Sequence, residues 1–213
     1  SWREVLPYFK KSENWKGPHS IHRGSSGPLK INQSDNTWPI VNAWVEAAQK
    51  EGFKYNDDYN SGDQEGVGFF QQTADKGLRC STSKAYLKPI RHRKNLKIFT
   101  HTMVKKIILK DRKAIGVLTE KGSTEEYLLA KKEIILSAGS IGSPQLLMVS
   151  GIGNAKELKQ HGVDVKIDLK GVGKNLQDHL QARPVYKVNV PTINTKTRGI
   201  WNLISIATQY AFR

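Results

Sequence analysis

The feature that most constrains the fold is a continuously apolar segment that runs into a turn of small residues and then a helix. Residues 134–136 read Ile-Ile-Leu, which is typical of a strand buried on both faces of an α/β sheet. Residues 137–142 are small apart from one isoleucine, and Ser143 as N-cap with Pro144 in the first turn predicts a helix that extends to Met148. Ligands gather at the carboxyl ends of strands in open α/β sheets, so this turn is the first candidate for a ligand contact. An ordinary strand-to-helix connection that binds no ligand has the same pattern, so this alternative stays open.

The segments around this turn alternate between strand and helix patterns. Strands are predicted at residues 96–100, 104–109, 114–119, 126–130 and 133–137, and short polar turns between the middle ones predict an antiparallel meander. Helices are predicted at residues 81–87 and 201–213. A third helix is predicted with Asn36 or Thr37 as its N-cap, Pro39 in its first turn and Gly52 closing its C-terminus. Its apolar face comprises Ile40, Val41, Trp44, Ala47 and Ala48.

Length and composition restrict the class of protein. The 213 residues are 38% hydrophobic and 25% charged, which is typical of a globular chain and excludes disorder throughout its length. The single cysteine, Cys80, excludes an intrachain disulfide framework and a zinc cluster of several thiolates. No apolar run reaches the roughly 18 residues that a transmembrane helix needs, so we predict no membrane span.

The net charge of +15 raises the question of a polyanionic partner. It comes from 34 Lys and Arg against 19 Asp and Glu, which are spread thinly along the chain. The densest cluster, residues 91–94 (Arg-His-Arg-Lys), has no interleaved aromatic residues on which the bases of a single strand would stack. We therefore predict a solvated loop there and no nucleic-acid partner. A basic polyanion-binding module is the alternative.

The sequence contains no complete motif for a dinucleotide, a phosphate or a metal. Residues 66–68, 151–153 and 171–173 each begin a G-x-G pattern but lack the third glycine of the dinucleotide fingerprint. The carboxylates of residues 57–65 lack the order of a calcium loop, and no histidine pair has the zinc-binding spacing around a glutamate. We therefore predict no metal site.

Residues 139–153, Gly-Ser-Ile-Gly-Ser-Pro-Gln-Leu-Leu-Met-Val-Ser-Gly-Ile-Gly, resemble the second signature of the glucose-methanol-choline (GMC) flavoprotein oxidoreductases without a gap. Residues 1–14, 79–87, 95–104 and 171–179 resemble further GMC segments in the same order. The resemblance therefore covers nearly the whole chain. Its character is nearest to glucose dehydrogenase-like or choline dehydrogenase-like members.

The resemblance implies an FAD-dependent enzyme that removes hydride from an alcohol or sugar carbon and passes electrons to oxygen, a quinone or another acceptor. In the family, the valine that matches Val104 contacts the adenine end of FAD through its backbone. The turn that matches Ser137, Ala138 and Gly139 lies beside the cofactor. These four residues are the predicted cofactor-binding residues.

The resemblance also implies an α/β (α+β) fold, with part of an FAD-binding doubly wound domain and an antiparallel-sheet substrate domain. We expect residues 1–78 to belong to the substrate domain and connecting segments. Residues 79–179 would then form part of the FAD-binding domain, and residues 180–213 would begin a second substrate-domain segment.

Two elements of the family pattern are missing from the sequence, namely the glycine-rich FAD pyrophosphate loop and the catalytic histidine. We therefore expect an internal fragment of a longer chain, without a catalytic residue, that alone binds FAD weakly and turns over nothing. A catalytically inactive derivative retained as a binding protein is a further alternative. The sequon at residues 32–34 favours a secreted protein, although the compartment stays open.

Overall fold

The computed structural model describes residues 1–33 and 38–211. The helices are α1 (Trp2–Ser12), α2 (Pro39–Lys50), α3 (Gly139–Val149), α4 (Ala155–Gln160), α5 (Ile193–Lys196) and α6 (Ile200–Ala211). The strands are β1 (Glu13–Trp15), β2 (Leu29–Gln33), β3 (Gln71–Gln72), β4 (Ala74–Asp75), β5 (Leu78–Arg79), β6 (Met103–Lys110), β7 (Lys113–Lys121), β8 (Thr124–Leu129), β9 (Ile152–Gly153) and β10 (Ile167–Asp168). A π-helical turn (Ser83–Leu87) and a 3-10 turn (Lys88–Ile90) lie between β5 and β6. The mixed α/β class that the sequence predicts is confirmed.

The chain divides into two compact units. The first unit comprises Ser1–Leu96 and Val185–Arg213, and the second comprises Lys97–Pro184. In the first unit, β1 pairs in parallel with β2, β2 pairs antiparallel with β3, and β4 pairs antiparallel with β5. Among the helices of the described ranges, none has both the length and the apolar character that crossing a bilayer needs.

A buried guanidinium connects three parts of the first unit. The Arg23 side chain is 4% exposed, and its Nη2 lies 3.1 Å from Glu13 Oε1 while its Nη1 lies 3.4 Å from Asp58 Oδ1. The guanidinium carbon also lies 4.2 Å from the centroid of the buried Trp15 ring. Two carboxylates and an aromatic face compensate the loss of hydration that burial imposes on the cation. Arg23 therefore joins β1 to the loop that contains Asp58.

The limits of α2 follow the sequence signals. The helix begins at Pro39, with Trp38 in the N-cap position. The predicted caps, Asn36 and Thr37, lie outside the described residues. Gly52 follows the helix with φ +94°, a left-handed conformation that a glycine adopts without a steric penalty.

The buried side of α2 differs from its predicted apolar face. Val45 is the buried residue of the helix, whereas Val41 and Trp44 are exposed. The apolar spacing locates the helix, but the contacts available around it decide which residue is covered.

The second unit is built around the predicted meander. β6, β7 and β8 form an antiparallel sheet in that order, which confirms the strands predicted at residues 104–109, 114–119 and 126–130. Ile107 on β6 and Thr119 on β7 are buried. β6 is an edge strand, so one side of its backbone is available for contacts outside the ladder.

Two predicted strands are wrong. Residues 96–100 and 133–137 have no regular secondary structure, and in the described part of the chain no strand pairs with either segment. Ile135, expected inside a sheet covered on both faces, is 79% exposed. An apolar run indicates that a segment is suited to burial. A strand also needs neighbours that complete its hydrogen bonds.

Candidate functional site

α3 begins at Gly139, with Ala138 in the N-cap position, and therefore starts four residues before Ser143. The predicted start at Ser143 and Pro144 is wrong. Ser143 still helps to cap the helix, because its hydroxyl accepts a hydrogen bond of 3.1 Å from the backbone N–H of Ala138. Pro144 lies inside the helix, where it cannot donate to the carbonyl of Ser140.

The turn before α3 is open to a ligand. Ser137, Ala138 and Gly139 are all exposed. Gly139 has φ +82°, and a Cβ added to it would meet no atom within 4 Å. The start of a helix carries N–H groups without intrahelical partners and a partial positive charge, which suits a phosphate group. The Ala138 N–H already donates to Ser143, so the open space of the turn lies at Gly139, which has no side chain in front of its backbone.

Val104, the other predicted site residue, lies near the start of β6. It pairs with Thr119 on β7 and is partly exposed. The neighbouring Lys105 Nζ lies 2.7 Å from Glu120 Oε2, and this hydrogen bond raises the pKa of Lys105 above its ordinary value. Val104 therefore lies on an edge strand whose flanking cation is already paired.

A buried serine connects the two elements that contain the predicted residues. Ser150 follows α3 directly, and its Oγ accepts a hydrogen bond of 2.8 Å from the backbone N–H of Ile107 on β6. This contact lies at the opposite end of α3 from Gly139. No hydrogen bond joins Val104 to residues 137–139 in the described ranges. Val104 lies on β6 and Gly139 begins α3, whereas Ser137 and Ala138 precede α3.

A cavity of about 690 Å³ along α3 was not anticipated from the sequence. Apolar side chains dominate its lining, among them Ile141, Met148, Leu158 and Leu176. Lys174 also lines it, and its Nζ lies 2.8 Å from Glu157 Oε2. Val104 and residues 137–139 are not among the lining residues. The signal that could have revealed the cavity is the distribution of apolar residues around the whole of α3.

Comparisons with known proteins agree with the sequence resemblance. Residues 1–181 match the family model described as GMC oxidoreductase. An oxygen-dependent choline dehydrogenase of Photobacterium profundum is 44% identical over 199 residues, which cover 92% of this chain and 35% of the relative. The chain thus spans about a third of the length of the curated relatives that it matches.

Solved structures support the same fold. The crystal structure of pyridoxine 4-oxidase from Mesorbium loti superposes with a TM-score of 0.79 at 34% identity, covering 84% of this chain and 35% of that protein. An FAD-dependent oxidoreductase from Chaetomium thermophilum superposes with a TM-score of 0.79 at 33% identity, covering 84% of this chain and 33% of that protein.

Proposed function

Because the chain belongs to the GMC oxidoreductase family, we propose that it forms part of an FAD-dependent enzyme that oxidises the CH–OH group of an alcohol. The observation that carries the proposal is the family match over residues 1–181, which includes the turn, α3 and β6. Choline is the first candidate substrate, since relatives 44% and 45% identical to the chain are oxygen-dependent choline dehydrogenases. A sugar such as glucose is the second candidate, supported by the sequence resemblance alone.

The geometry of the turn fits FAD. Exposed small residues and a left-handed glycine let a bulky, anionic cofactor approach the backbone at Ser137, Ala138 and Gly139. The backbone of Val104 on the edge strand β6 is suited to a polar contact with the adenine end. All four residues lie in the second compact unit. We therefore assign them to holding FAD, which when bound supplies a hydride acceptor.

The residues of this chain position the cofactor and do not perform the proton transfer. A general base must lie within hydrogen-bond reach of the substrate hydroxyl, and we assign that role to none of the six histidines. The electron acceptor is oxygen, a quinone or another acceptor. We assign residues 79–179 to FAD binding, and residues 1–78 and 180–213 to substrate binding.

A chimera tests this function. The 213 residues replace the matched segment of the Photobacterium relative, and the purified chimera is examined for flavin absorbance and for dye reduction with choline and with glucose. We expect a flavin-containing protein that reduces the dye faster with choline. A flavin-containing chimera that oxidises only glucose would replace the first substrate candidate by the second. A folded chimera without flavin would contradict the assignment, and one with flavin but no turnover would favour an inactive derivative.

A further inference from the structure

A cluster of cations lies at the end of the meander where β6 turns into β7. Lys110 and Lys113 are opposite each other in the ladder, and the two-residue turn between them contains Arg112. The N–H of Ala130 donates to the Ile115 carbonyl at 2.8 Å, which brings the residues that follow β8 to the same end of the sheet. We call the five cations there the basic end: Lys110, Arg112, Lys113, Lys131 and Lys132.

The charges of the basic end are not compensated within the described part of the chain. All five side chains are exposed, and within residues 1–33 and 38–211 none of them forms an ion pair. Two carboxylates, Asp111 and Glu133, lie among them in the sequence, so a net positive charge remains. The opposite end of the sheet differs, because Lys105 is paired there with Glu120 at 2.7 Å. An exposed cluster with unbalanced positive charge attracts an anionic partner.

The turn at the basic end places an arginine where its backbone conformation is unfavourable. Asp111 has φ +50° and Arg112 has φ +64°, left-handed values of the kind that a two-residue hairpin turn needs. Asparagine and glycine adopt these values at a lower steric cost than arginine does. Turn geometry therefore does not account for Arg112, whereas an anionic partner for its side chain would.

Apolar side chains beside the basic end distinguish between kinds of anionic partner. Tyr127 and Leu129 are two residues apart on β8, so they lie on the same face of the sheet. Their exposed fractions are 67% and 76%, and Leu129 is opposite Gly116, which has no side chain to cover it. A soluble polyanion offers no contact to an exposed leucine. A lipid surface suits both groups, because cations bind its headgroups while aromatic and aliphatic side chains enter the interfacial layer.

We propose that the basic end of the meander docks the protein on an anionic lipid surface, with its cations at the headgroups and Tyr127 and Leu129 in the interfacial layer. Binding of this kind is peripheral and needs no membrane-spanning helix. Val104 pairs with Thr119, six residues along β6 from Lys110, so the contact lies roughly 20 Å from this candidate FAD residue. Docking is therefore compatible with a cofactor held at the other end of the strand.

Vesicle flotation tests the proposal on the 213-residue chain. The vesicles contain phosphatidylcholine alone or phosphatidylcholine with roughly 30% phosphatidylserine, and a lipid titration gives the concentration for half-maximal binding. We expect flotation only with the phosphatidylserine vesicles, and weaker flotation as the salt concentration rises. The triple variant Arg112→Gln, Lys131→Gln, Lys132→Gln should raise the half-maximal lipid concentration by at least about tenfold, because each cation near the surface contributes to binding.

Two matched controls separate the basic end from general effects of charge and hydrophobicity. Arg91→Gln, Arg93→Gln, Lys94→Gln removes the same charge at another exposed cluster and should change the half-maximal concentration by less than about threefold. Leu129→Ser should raise it by at least about threefold, since an apolar contact with the interfacial layer is lost. Leu78→Ser on β5, where the leucine is 54% exposed, should leave it unchanged. Circular dichroism of each variant confirms that it is folded.

Equal weakening by the two triple variants would overturn the proposal, because net charge alone would then determine binding. Absence of flotation with phosphatidylserine vesicles would overturn it as well. A Leu129→Ser variant that binds like the unsubstituted chain would also contradict a lipid surface, and retention on heparin would then indicate a soluble polyanion as the partner. If the chain alone does not stay folded, the same variants are compared in the chimera with the Photobacterium relative. None of these readouts depends on flavin or turnover, so failure here leaves the proposed function untouched.

Discussion

The side chain of Ser150 joins α3 to β6 through the backbone of Ile107. Ser150 Oγ accepts from the Ile107 N–H at 2.8 Å and donates to the Leu146 carbonyl at 2.6 Å. Ser150 is 1% exposed and Ile107 is 6% exposed, so both ends of the bond are shielded from water. One hydroxyl thus fixes the end of the helix that begins at the candidate FAD turn.

Ser150→Ala should destabilise the second unit. The substitution leaves the Ile107 N–H buried without an acceptor, which costs about 1–3 kcal/mol. The matched control is Ser123→Ala in the exposed turn before β8 and should change stability by less than about 0.5 kcal/mol. Urea unfolding followed by circular dichroism measures both. Equal stability of the two variants would show that the bond to Ile107 contributes nothing.

Gly151→Ala should destabilise the chain more than Gly122→Ala. Both glycines have positive φ, +87° and +61°, so an alanine is strained at either position. Only at Gly151 would the new Cβ also approach a backbone atom, the Asp164 carbonyl oxygen, at 2.4 Å. We expect about 1 kcal/mol at Gly122 and at least about 2 kcal/mol more at Gly151. Thermal unfolding of the two variants provides the comparison, and similar melting temperatures would contradict the expectation.

Arg23→Met should strongly destabilise the first unit. It removes the buried cation between Glu13 and Asp58, and an uncompensated buried charge costs about 3–5 kcal/mol. Arg93→Met, at an exposed position, is the control. The buried Trp15 beside Arg23 makes tryptophan fluorescence a suitable probe of unfolding in urea. An Arg23→Met variant as stable as the control would show that the ion pairs are not needed.

Sequence patterns predicted the elements whose determinants are local. The meander follows from strand-like segments separated by two short polar turns, and α2 is limited by Pro39 and Gly52, so each signal lies within the element or directly beside it. The strand predicted at residues 134–136 is wrong. Apolar residues indicate that a segment is suited to burial, but they do not provide a neighbouring strand. The predicted start of α3 is wrong because the Ser143 hydroxyl accepts from the N–H of Ala138, a residue earlier in the chain. The pattern of an N-cap serine followed by proline predicts instead that the serine accepts from N–H groups later in the chain.

The sequence predicts which residues belong to the candidate site, but it does not predict how they are arranged in space. The resemblance selected Val104 and the turn at residues 137–139, but the buried serine between their elements and the cavity along α3 depend on long-range packing. Ser150 is one polar residue in an apolar segment and has no local pattern that marks it. The role of Ser150 in joining α3 to β6 depends on the fold, which places the Ile107 N–H beside its hydroxyl.

Gly139→Val in the chimera should weaken FAD binding. Gly139 has φ +82°, so a β-branched side chain strains the turn and also occupies the open space before α3. Gly122→Val, at φ +61° with equally open surroundings, is the matched control outside the turn. Titration of FAD by flavin fluorescence should show at least about a tenfold rise in Kd for the Gly139 variant only, equivalent to about 1.4 kcal/mol. An equal rise in both variants would mean that strain acts through folding and not through the site.

The most direct test of the central claim is the flavin absorbance of the purified chimera, recorded anaerobically before and after addition of choline. We predict a stoichiometric oxidised flavin spectrum that is bleached when choline is added and that returns when oxygen or a quinone is admitted. A folded chimera that contains no flavin, while the unmodified relative purified in parallel contains it, would contradict the proposal that this chain forms part of an FAD-dependent alcohol oxidoreductase.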